Sequence, residues 1–148
     1  MELNFDLKTF DQLSVYRLYE ILKLRQSIFI VEQNCPYLDC DGKDIYAHHL
    51  LGLNKTDELI AYLRILPQGI SYDEVSIGRV TTAIQFRKFG FGKKLMEEAL
   101  NTINILYGKV PVRIGAQSYL LDFYQSFGFE KLEPYIEDGI PHHIMLRK

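Results

Sequence analysis

A glycine-containing segment rich in basic residues lies past the middle of the chain, between a predicted strand and a predicted helix. It reads Arg-Lys-Phe-Gly-Phe-Gly-Lys-Lys from Arg87 to Lys94. Glycine lets a backbone approach a ligand closely because it has no Cβ atom. The first amide groups of a helix have no helical acceptor and lie at the positive end of the helix dipole. Together with the four basic side chains, these amides predict a site for an anion such as a diphosphate.

Two common nucleotide-binding motifs do not fit this segment. A Walker A loop would require glycine at position 87 and serine or threonine at position 94, where the chain has Arg87 and Lys94. A dinucleotide fingerprint that starts at Gly90 would require a small residue in place of Leu95. The remaining alternative to an anion site is a plain glycine-rich connection whose lysines are solvated.

The segment has the form Arg-x-x-Gly-x-Gly from Arg87 to Gly92. This form resembles the turn of the GNAT N-acetyltransferases, Gln/Arg-x-x-Gly-x-Gly/Ala, which binds the pyrophosphate of coenzyme A. Residues 123–129, Phe-Tyr-Gln-Ser-Phe-Gly-Phe, resemble a later motif of the same family. Residues 29–37 and 137–142 resemble its ElaA-like subgroup. The resemblance covers essentially the whole chain.

The resemblance implies an acetyl-CoA-dependent N-acetyltransferase, in which a bound amine attacks the thioester directly in a ternary complex. The expected acceptor is a primary amine of a small molecule or peptide, and the expected co-substrate is acetyl-CoA, without a metal. The alternative is a non-catalytic coenzyme A-binding sensor or a protein-interaction domain. Residues expected to bind the cofactor lie on the strand before the turn and in the turn itself: Val80, Thr81, Thr82, Arg87, Lys88, Phe89, Gly90, Phe91, Gly92 and Lys93. The backbone amide of Val80 or its neighbour is expected to stabilise the oxyanion.

A tyrosine in the later motif is the expected general acid. The family places a tyrosine on the short helix after the second of two splayed strands, and Tyr124 matches that place. A phenol with a pKa of about 10 stays protonated at neutral pH and can give its proton to the departing thiolate. The alternative is a structural tyrosine that packs with Phe123 and Phe127.

The general base is left open by the sequence. An amine with a pKa of about 10.4 is almost entirely protonated at neutral pH, so a group must take its proton. Some members of the family use a glutamate on the strand before the turn, but the corresponding residue here is Ser76. The main candidates are Glu32 and His49, and the alternative for His49 is a structural role at a strand end. The wider set of candidates adds Asp39, Asp41, Asp44 and Glu74.

Three acidic residues, Asp39, Asp41 and Asp44, lie in a predicted loop after the first helix. They predict either recognition of a cationic amine or a solvated turn with local side-chain hydrogen bonds. Arg79 lies on the strand where the acetyl group is expected to dock. It is expected either to bind an acidic part of the acceptor or to pair with the acidic loop. Residues 138–142 predict either a plain hairpin turn or a tip that closes over the acceptor pocket.

Composition and charge argue against several other classes of protein. The chain has 148 residues, 17 basic and 19 acidic, and a net charge of −2, whereas a nucleic-acid-binding domain usually has a basic surface. No apolar run reaches the ~20 residues that cross a bilayer, and the N-terminus lacks the features of a signal peptide. Cys35 and Cys40 have no second cysteine pair, so we expect two reduced thiols rather than a zinc site. We therefore expect a cytoplasmic monomer or homodimer without nucleic-acid or membrane partners.

The elements that must position these residues follow the order β-α-β-β-β-α-β-α-β-β. Ser14 is a predicted cap for the first helix, whose apolar stripe reaches Phe29. A second amphipathic helix is predicted from about Gly90 to Leu106. We expect one domain over residues 1–148, of the mixed α/β class. The implied GNAT fold has a central mixed, twisted sheet of about seven strands, flanking helices, and two splayed strands that hold coenzyme A.

Overall fold

The protein, described by a computed structural model for residues 2–148, contains two antiparallel β-sheets. The first sheet has strands in chain order: β1 (Asn4–Thr9), β2 (His48–Leu53), β3 (Leu59–Leu66) and β4 (Ser76–Thr82). The second contains β5 (Val112–Gln117), β6 (Glu130–Glu137) and β7 (Ile140–Arg147), with β7 in the middle. The α-helices are α1 (Val15–Arg25), α2 (Phe91–Tyr107) and α3 (Leu121–Gln125).

Within residues 2–148, the two sheets meet at a single parallel bridge between Val75, just before β4, and Val112. The amide of Arg113 donates a hydrogen bond to the carbonyl of Val75 at 3.0 Å. Beyond this bridge β4 and β5 form no ladder, so the facing edges of the two sheets diverge. The seven expected strands are therefore present, and the sheet is mixed because β4 and β5 run parallel where they meet. The prediction of two splayed strands is confirmed.

Helices α1 and α2 pack on opposite faces of the first sheet. Side chains alternate between the faces of a strand. On β3, Leu63 and Ile65 therefore join the core under α2, whereas Tyr62 joins the core under α1. Helix α2 contributes Leu95, Met96, Ala99 and Ile103 to the first core, and α1 with the segment after it contributes Ile21, Leu24 and Ile28 to the second.

The ends of the long helices follow the sequence signals closely. The Ser14 hydroxyl accepts a hydrogen bond from the Arg17 amide at 3.0 Å, which caps α1 as expected. Helix α2 begins one residue later than expected and ends before Gly108, whose φ of +79° suits a glycine.

The end of the first helix differs from the expectation. Helix α1 ends at Arg25, and a π-helical segment, Gln26–Glu32, continues the chain. The wider turn rotates the residues that follow Arg25 relative to a regular α-helix. The apolar stripe predicted as a single helix thus leads into the π-helical segment, which lies beside the functional cleft described below.

Candidate functional site

The diverging edges of β4 and β5 enclose a cleft of about 460 Å³. Residues 77–82 of β4 line one side, and residues 114–117 of β5 line the other. The π-helical segment, the start of α3 and the β6–β7 turn complete the walls. Six of the residues singled out from the sequence line this cleft: Arg79, Val80, Thr81, Thr82, Arg87 and Tyr124.

A β-bulge in β4 faces the cleft. Tyr62 pairs with Thr81 and Arg64 pairs with Gly78, so one residue of β3 lies opposite both Arg79 and Val80. Arg79 has a φ of +55°, which is rare for a residue with a side chain. A bulge takes a residue out of the regular ladder. It can therefore leave a backbone amide at this point of the cleft without a partner on β3.

The turn before α2 presents amides without acceptors. Lys88 and Gly90 have φ values of +75° and +76°, and no side chain caps the helix at Gly90. The first helical hydrogen bond runs from the Lys94 amide to the Gly90 carbonyl at 3.2 Å, so the amides of Phe91, Gly92 and Lys93 have no acceptor within the helix. A Cβ on Gly90 would have no atom within 4 Å, so the space beside it is open to a ligand.

The Arg87 guanidinium is held by a carboxylate from the π-helical segment. Its two Nη atoms each donate to one Glu32 oxygen at 2.6 Å. The hydrogen bond from Arg87 lowers the pKa of Glu32, which makes that carboxylate a weaker proton acceptor. Glu32 also does not line the cleft. Its position fits a support for the turn better than the general base considered from the sequence.

Tyr124 is a buried residue at the wall of the cleft. It lies on α3, and its ring packs edge-on against Phe123 and Phe129. Among residues 2–148 no hydrogen bond to its hydroxyl is found, and burial raises its pKa, with a further contribution from Tyr119. The phenol is therefore held protonated at neutral pH, with its hydroxyl available to a ligand.

The acidic loop after the π-helical segment is bound by arginines. Asp39 accepts from Arg25 Nε at 2.9 Å, and Asp44 accepts from Arg25 Nη1 at 2.7 Å. The two nitrogens Nη1 and Nη2 of Arg64 donate to Asp41 at 2.8 Å and 2.6 Å. Arg79 Nε lies 2.9 Å from Asp39 Oδ1. Of the two expectations for Arg79, the pairing with this loop is the one observed.

These ion pairs correct the picture of an open, amine-binding acidic loop. Asp39 and Asp44 are buried, and none of the three aspartates lines the cleft. Each carboxylate faces at least one guanidinium, so its charge is neutralised within the protein. The aspartates are therefore suited to holding the loop, not to binding an acceptor.

His49 is also placed away from the cleft. Its side chain has no solvent exposure, its Nδ1 is hydrogen-bonded to the Tyr62 hydroxyl at 2.7 Å, and its Nε2 to the Asp44 carbonyl at 2.9 Å. Burial lowers its pKa. Since both nitrogens have protein partners, neither is available to take a proton from a substrate, and the structural alternative for His49 agrees with the geometry.

Sequence reasoning missed two residues of the β6–β7 hairpin, Glu137 and His142, which both line the cleft. The hairpin tip also contacts the opposite wall, because the Cys35 thiol donates to the Asp138 carbonyl at 3.4 Å. Cys35 and Cys40 are free thiols. The resemblance of residues 137–142 to the ElaA-like subgroup was the available signal, and it predicted a turn without assigning chemistry to its side chains.

Residues 2–148 contain neither a candidate metal site nor a helix that could span a membrane. No group of three or more histidine, cysteine, aspartate or glutamate residues is arranged to hold a metal ion. Over the same range, no helix combines the length and the apolar character that a bilayer crossing requires.

Comparison with known proteins agrees with this architecture. A family model described as an acetyltransferase (GNAT) domain matches residues 43–148. Protein ElaA of Escherichia coli (strain K12) is 47% identical over 140 residues, which make up 93% of this chain and 91% of ElaA. The crystal structure of Escherichia coli ElaA matches with a TM-score of 0.91 and 43% identity, over 99% of each chain.

Two further solved structures share the fold. An acyl-CoA N-acyltransferase from Pseudomonas aeruginosa matches with a TM-score of 0.93 and 39% identity, over 99% of this chain and 100% of that one. An aminoglycoside 6'-N-acetyltransferase complexed with coenzyme A matches with a TM-score of 0.72 over 96% of each chain, but at 13% identity the likeness concerns the fold alone. The chain therefore belongs to the GNAT acetyltransferase family and, within it, to the ElaA-like subgroup.

Proposed function

We propose that the protein is an acetyl-CoA-dependent N-acetyltransferase that acts on a primary amine, with residues 1–148 forming one catalytic domain. The observation that carries this proposal is the cleft between β4 and β5, which extends from Arg87, in the turn before α2, to the buried Tyr124. In this arrangement the amine attacks the thioester directly while both substrates are bound. The coenzyme A complex of the distant structural neighbour supports acetyl-CoA as the co-substrate.

In this proposal the turn binds the pyrophosphate of the cofactor, and the strand edge binds its pantetheine arm. The free amides of Phe91, Gly92 and Lys93 suit the pyrophosphate, because helix N-terminal amides bind anions. The unpaired edge of β4 near Val80 and Thr82 offers backbone groups to the amides of the pantetheine arm. The exposed lysines around the turn, Lys88, Lys93 and Lys94, add positive charge, whereas Arg87 is paired with Glu32.

The bulge in β4 provides the proposed oxyanion site. When the amine attacks, the carbonyl oxygen of the thioester gains negative charge. A preorganised backbone amide aimed at that oxygen lowers the barrier, and the loss of one such donor in other enzymes costs about 10²–10³-fold in rate. The Val80 amide lies at the bulge on the wall of the cleft, which supports it for this role.

Tyr124 is the proposed general acid. Its buried, protonated hydroxyl lacks a protein partner within residues 2–148, so it is free to donate to the thiolate that leaves as coenzyme A. Because burial raises its pKa, the phenol keeps its proton until the thiolate forms beside it. The free state of Cys35 and Cys40 supports a reducing compartment, and we propose the cytoplasm. The assembly is proposed to be a monomer or a homodimer.

Calorimetry with acetyl-CoA, followed by thiol release in the presence of a panel of primary amines, tests the proposal. The panel consists of a polyamine, an aminoglycoside and a short peptide with a free N-terminus. We expect binding, and thiol release that depends on one of the amines. At a hundredfold excess over its Kd, a ligand specific for the folded state stabilises it by about 2.7 kcal/mol. Absence of binding contradicts the proposal, and binding without amine-dependent release indicates the non-catalytic alternative.

A further inference from the structure

Among residues 2–148, the cleft contains one charged side chain that forms no ion pair within the protein. Arg79 is paired with Asp39, and Arg87 is paired with Glu32. Glu137 also lines the cleft, and no basic side chain of residues 2–148 forms an ion pair with it. An unpaired carboxylate in a cleft attracts a cation. Glu137 is therefore suited to bind the ammonium group of an incoming acceptor.

His142 is a buried histidine with one nitrogen left free. Its Nδ1 lies 2.7 Å from the Ile140 carbonyl oxygen. Because a carbonyl can only accept, Nδ1 must carry a proton, and the neutral ring then has its lone pair on Nε2. Among residues 2–148 no hydrogen bond to Nε2 is found. Nε2 is also not fully buried, because it is absent from the set of fully buried polar atoms that have no partner. The side chain lines the cleft, so Nε2 is open to it.

The register of the hairpin places both groups on one face. Tyr135 pairs with His142, and Glu137 pairs with Ile140. Since side chains two residues apart point to the same face of a strand, Glu137 and His142 share a face, with the Tyr135 ring centroid 5.1 Å from that of His142. The contact between Cys35 and the Asp138 carbonyl holds the hairpin tip against the opposite wall.

The neighbouring histidine has a different environment. His143 points to the other face of β7, where its Nδ1 is hydrogen-bonded to the Ser118 hydroxyl at 2.8 Å. It does not line the cleft. The hairpin thus contains two adjacent histidines of which one faces the cleft, and this provides a matched pair for experiment.

We infer that Glu137 binds the acceptor's ammonium group and that Nε2 of His142 takes a proton from it before the amine attacks the thioester. The inference rests on the proposed acetyl transfer and assigns the base that the sequence left open. It also defines the acceptor's reacting end as a primary ammonium group, for which the cleft supplies one uncompensated negative charge.

The protons and bonds of the reaction balance with these groups. The acceptor nitrogen begins as an ammonium with three protons and ends as an amide with one. The first proton passes to His142 and then to solvent, which frees the lone pair that forms the new C–N bond. The C–S bond breaks, and Tyr124 gives its proton to the sulfur. The second proton lost by the nitrogen replaces the one that Tyr124 gave.

The test uses the intact chain, acetyl-CoA and the amine of the panel above that the wild type acetylates fastest. For His142→Ala we expect kcat to fall about 100-fold, a typical loss for a general base, with the Kd of acetyl-CoA unchanged. Added imidazole should restore part of the rate, which a structural defect would not allow. His143→Ala should keep the wild-type kcat. Glu137→Gln should raise the KM of the amine about tenfold.

The outcomes separate this inference from the proposed function. If the wild type binds acetyl-CoA but no amine accelerates thiol release, the proposed function falls, and the inference falls with it. If the wild type is active and His142→Ala matches His143→Ala in kcat, or imidazole restores no activity to His142→Ala, the inference alone is overturned. A KM of the amine that does not change in Glu137→Gln overturns the assignment of the ammonium site.

Discussion

Glu32 and Arg87 lie 55 residues apart in the sequence, and two parallel hydrogen bonds of 2.6 Å join their side chains. The pair connects the π-helical segment to the turn at the start of α2. A bidentate arrangement fixes the orientation of the guanidinium plane as well as its position. The segment after α1 and the proposed pyrophosphate turn are thus held together by side chains that the sequence separates widely.

Glu32→Gln is expected to retain kcat within about twofold, because Glu32 acts on the position of Arg87 and not on the amine. The loss of a general base would instead lower kcat by about 10²–10⁴-fold. Steady-state kinetics with the amine held at saturation measures the difference. The KM of acetyl-CoA should fall slightly, since a negative charge beside the proposed phosphate site is removed. If kcat falls 100-fold instead, Glu32 acts as the general base and this prediction is wrong.

Tyr124→Phe is expected to lower kcat about 100-fold while the Kd of acetyl-CoA stays within threefold of the wild type. The change removes the proposed proton donor and leaves the packing of the ring against Phe123 and Phe129 in place. Kinetics and calorimetry on the same samples measure both quantities. Tyr107→Phe is the control, because that tyrosine packs against the core from α2 outside the cleft. An unchanged kcat in Tyr124→Phe would contradict the general-acid role.

Gly90→Val is expected to weaken acetyl-CoA binding at least tenfold and to destabilise the fold by about 1–2 kcal/mol. The φ of +76° at Gly90 is costly for a residue with a Cβ, and the side chain would occupy open space beside the free amides. Gly69→Val is the control, since Gly69 has a φ of +88° and open surroundings but lies between β3 and β4, outside the turn before α2. It should lose similar stability and keep its affinity. Equal affinities in the two variants would argue against the turn as the phosphate site.

Asp44→Asn is expected to lower the free energy of unfolding by about 3–5 kcal/mol, because it leaves Arg25 and Arg64 without a shared buried partner. Burial alone would raise the pKa of Asp44, but the hydrogen bond from Arg25 and the charges of both arginines outweigh it and lower the pKa. Urea unfolding at neutral pH measures the loss. A change below 1 kcal/mol would show that the ion pairs add little to the fold.

The pH dependence of stability should follow from the same carboxylates. The pKa values of Asp41 and Asp44 are lowered in the folded state, so their contribution is complete above the unfolded value of about 3.9 and is lost as the pH falls through the folded values. The wild type should therefore lose stability steeply below about pH 4. Asp44→Asn should show a shallower loss over that range in the same urea titrations, and parallel curves would contradict this assignment.

Local patterns predicted the elements that form the proposed cofactor end of the site. Glycine and basic residues near Gly90 are close together in the chain, so the turn and its helix can be recognised from a short segment. The same holds for Ser14 as a cap, since its hydroxyl bonds an amide three residues away. Tyr124 was found through the motif that surrounds it.

The charged residues were harder to assign, because their partners lie far away in the sequence. Asp44 meets Arg25 and Arg64, 19 and 20 residues away, and no local pattern reveals that pairing. The sequence suggested His49 as a candidate base, because its two buried hydrogen bonds are visible only in the structure. His142 was missed for the opposite reason, since a free nitrogen can be identified only when its surroundings are seen.

The bridge between Val75, just before β4, and Val112 of β5 is the one backbone pairing that links the two sheets in the described part of the chain. A cofactor arm whose amides bond to both edges would act as an eighth strand and turn two separate sheets into one continuous layer. The co-substrate would then complete the sheet as well as take part in the reaction. Backbone amides on both edges should accordingly exchange their hydrogens with solvent more slowly once the arm is in place, and in the proposed cycle the coenzyme A product would have to break these same bonds before it leaves.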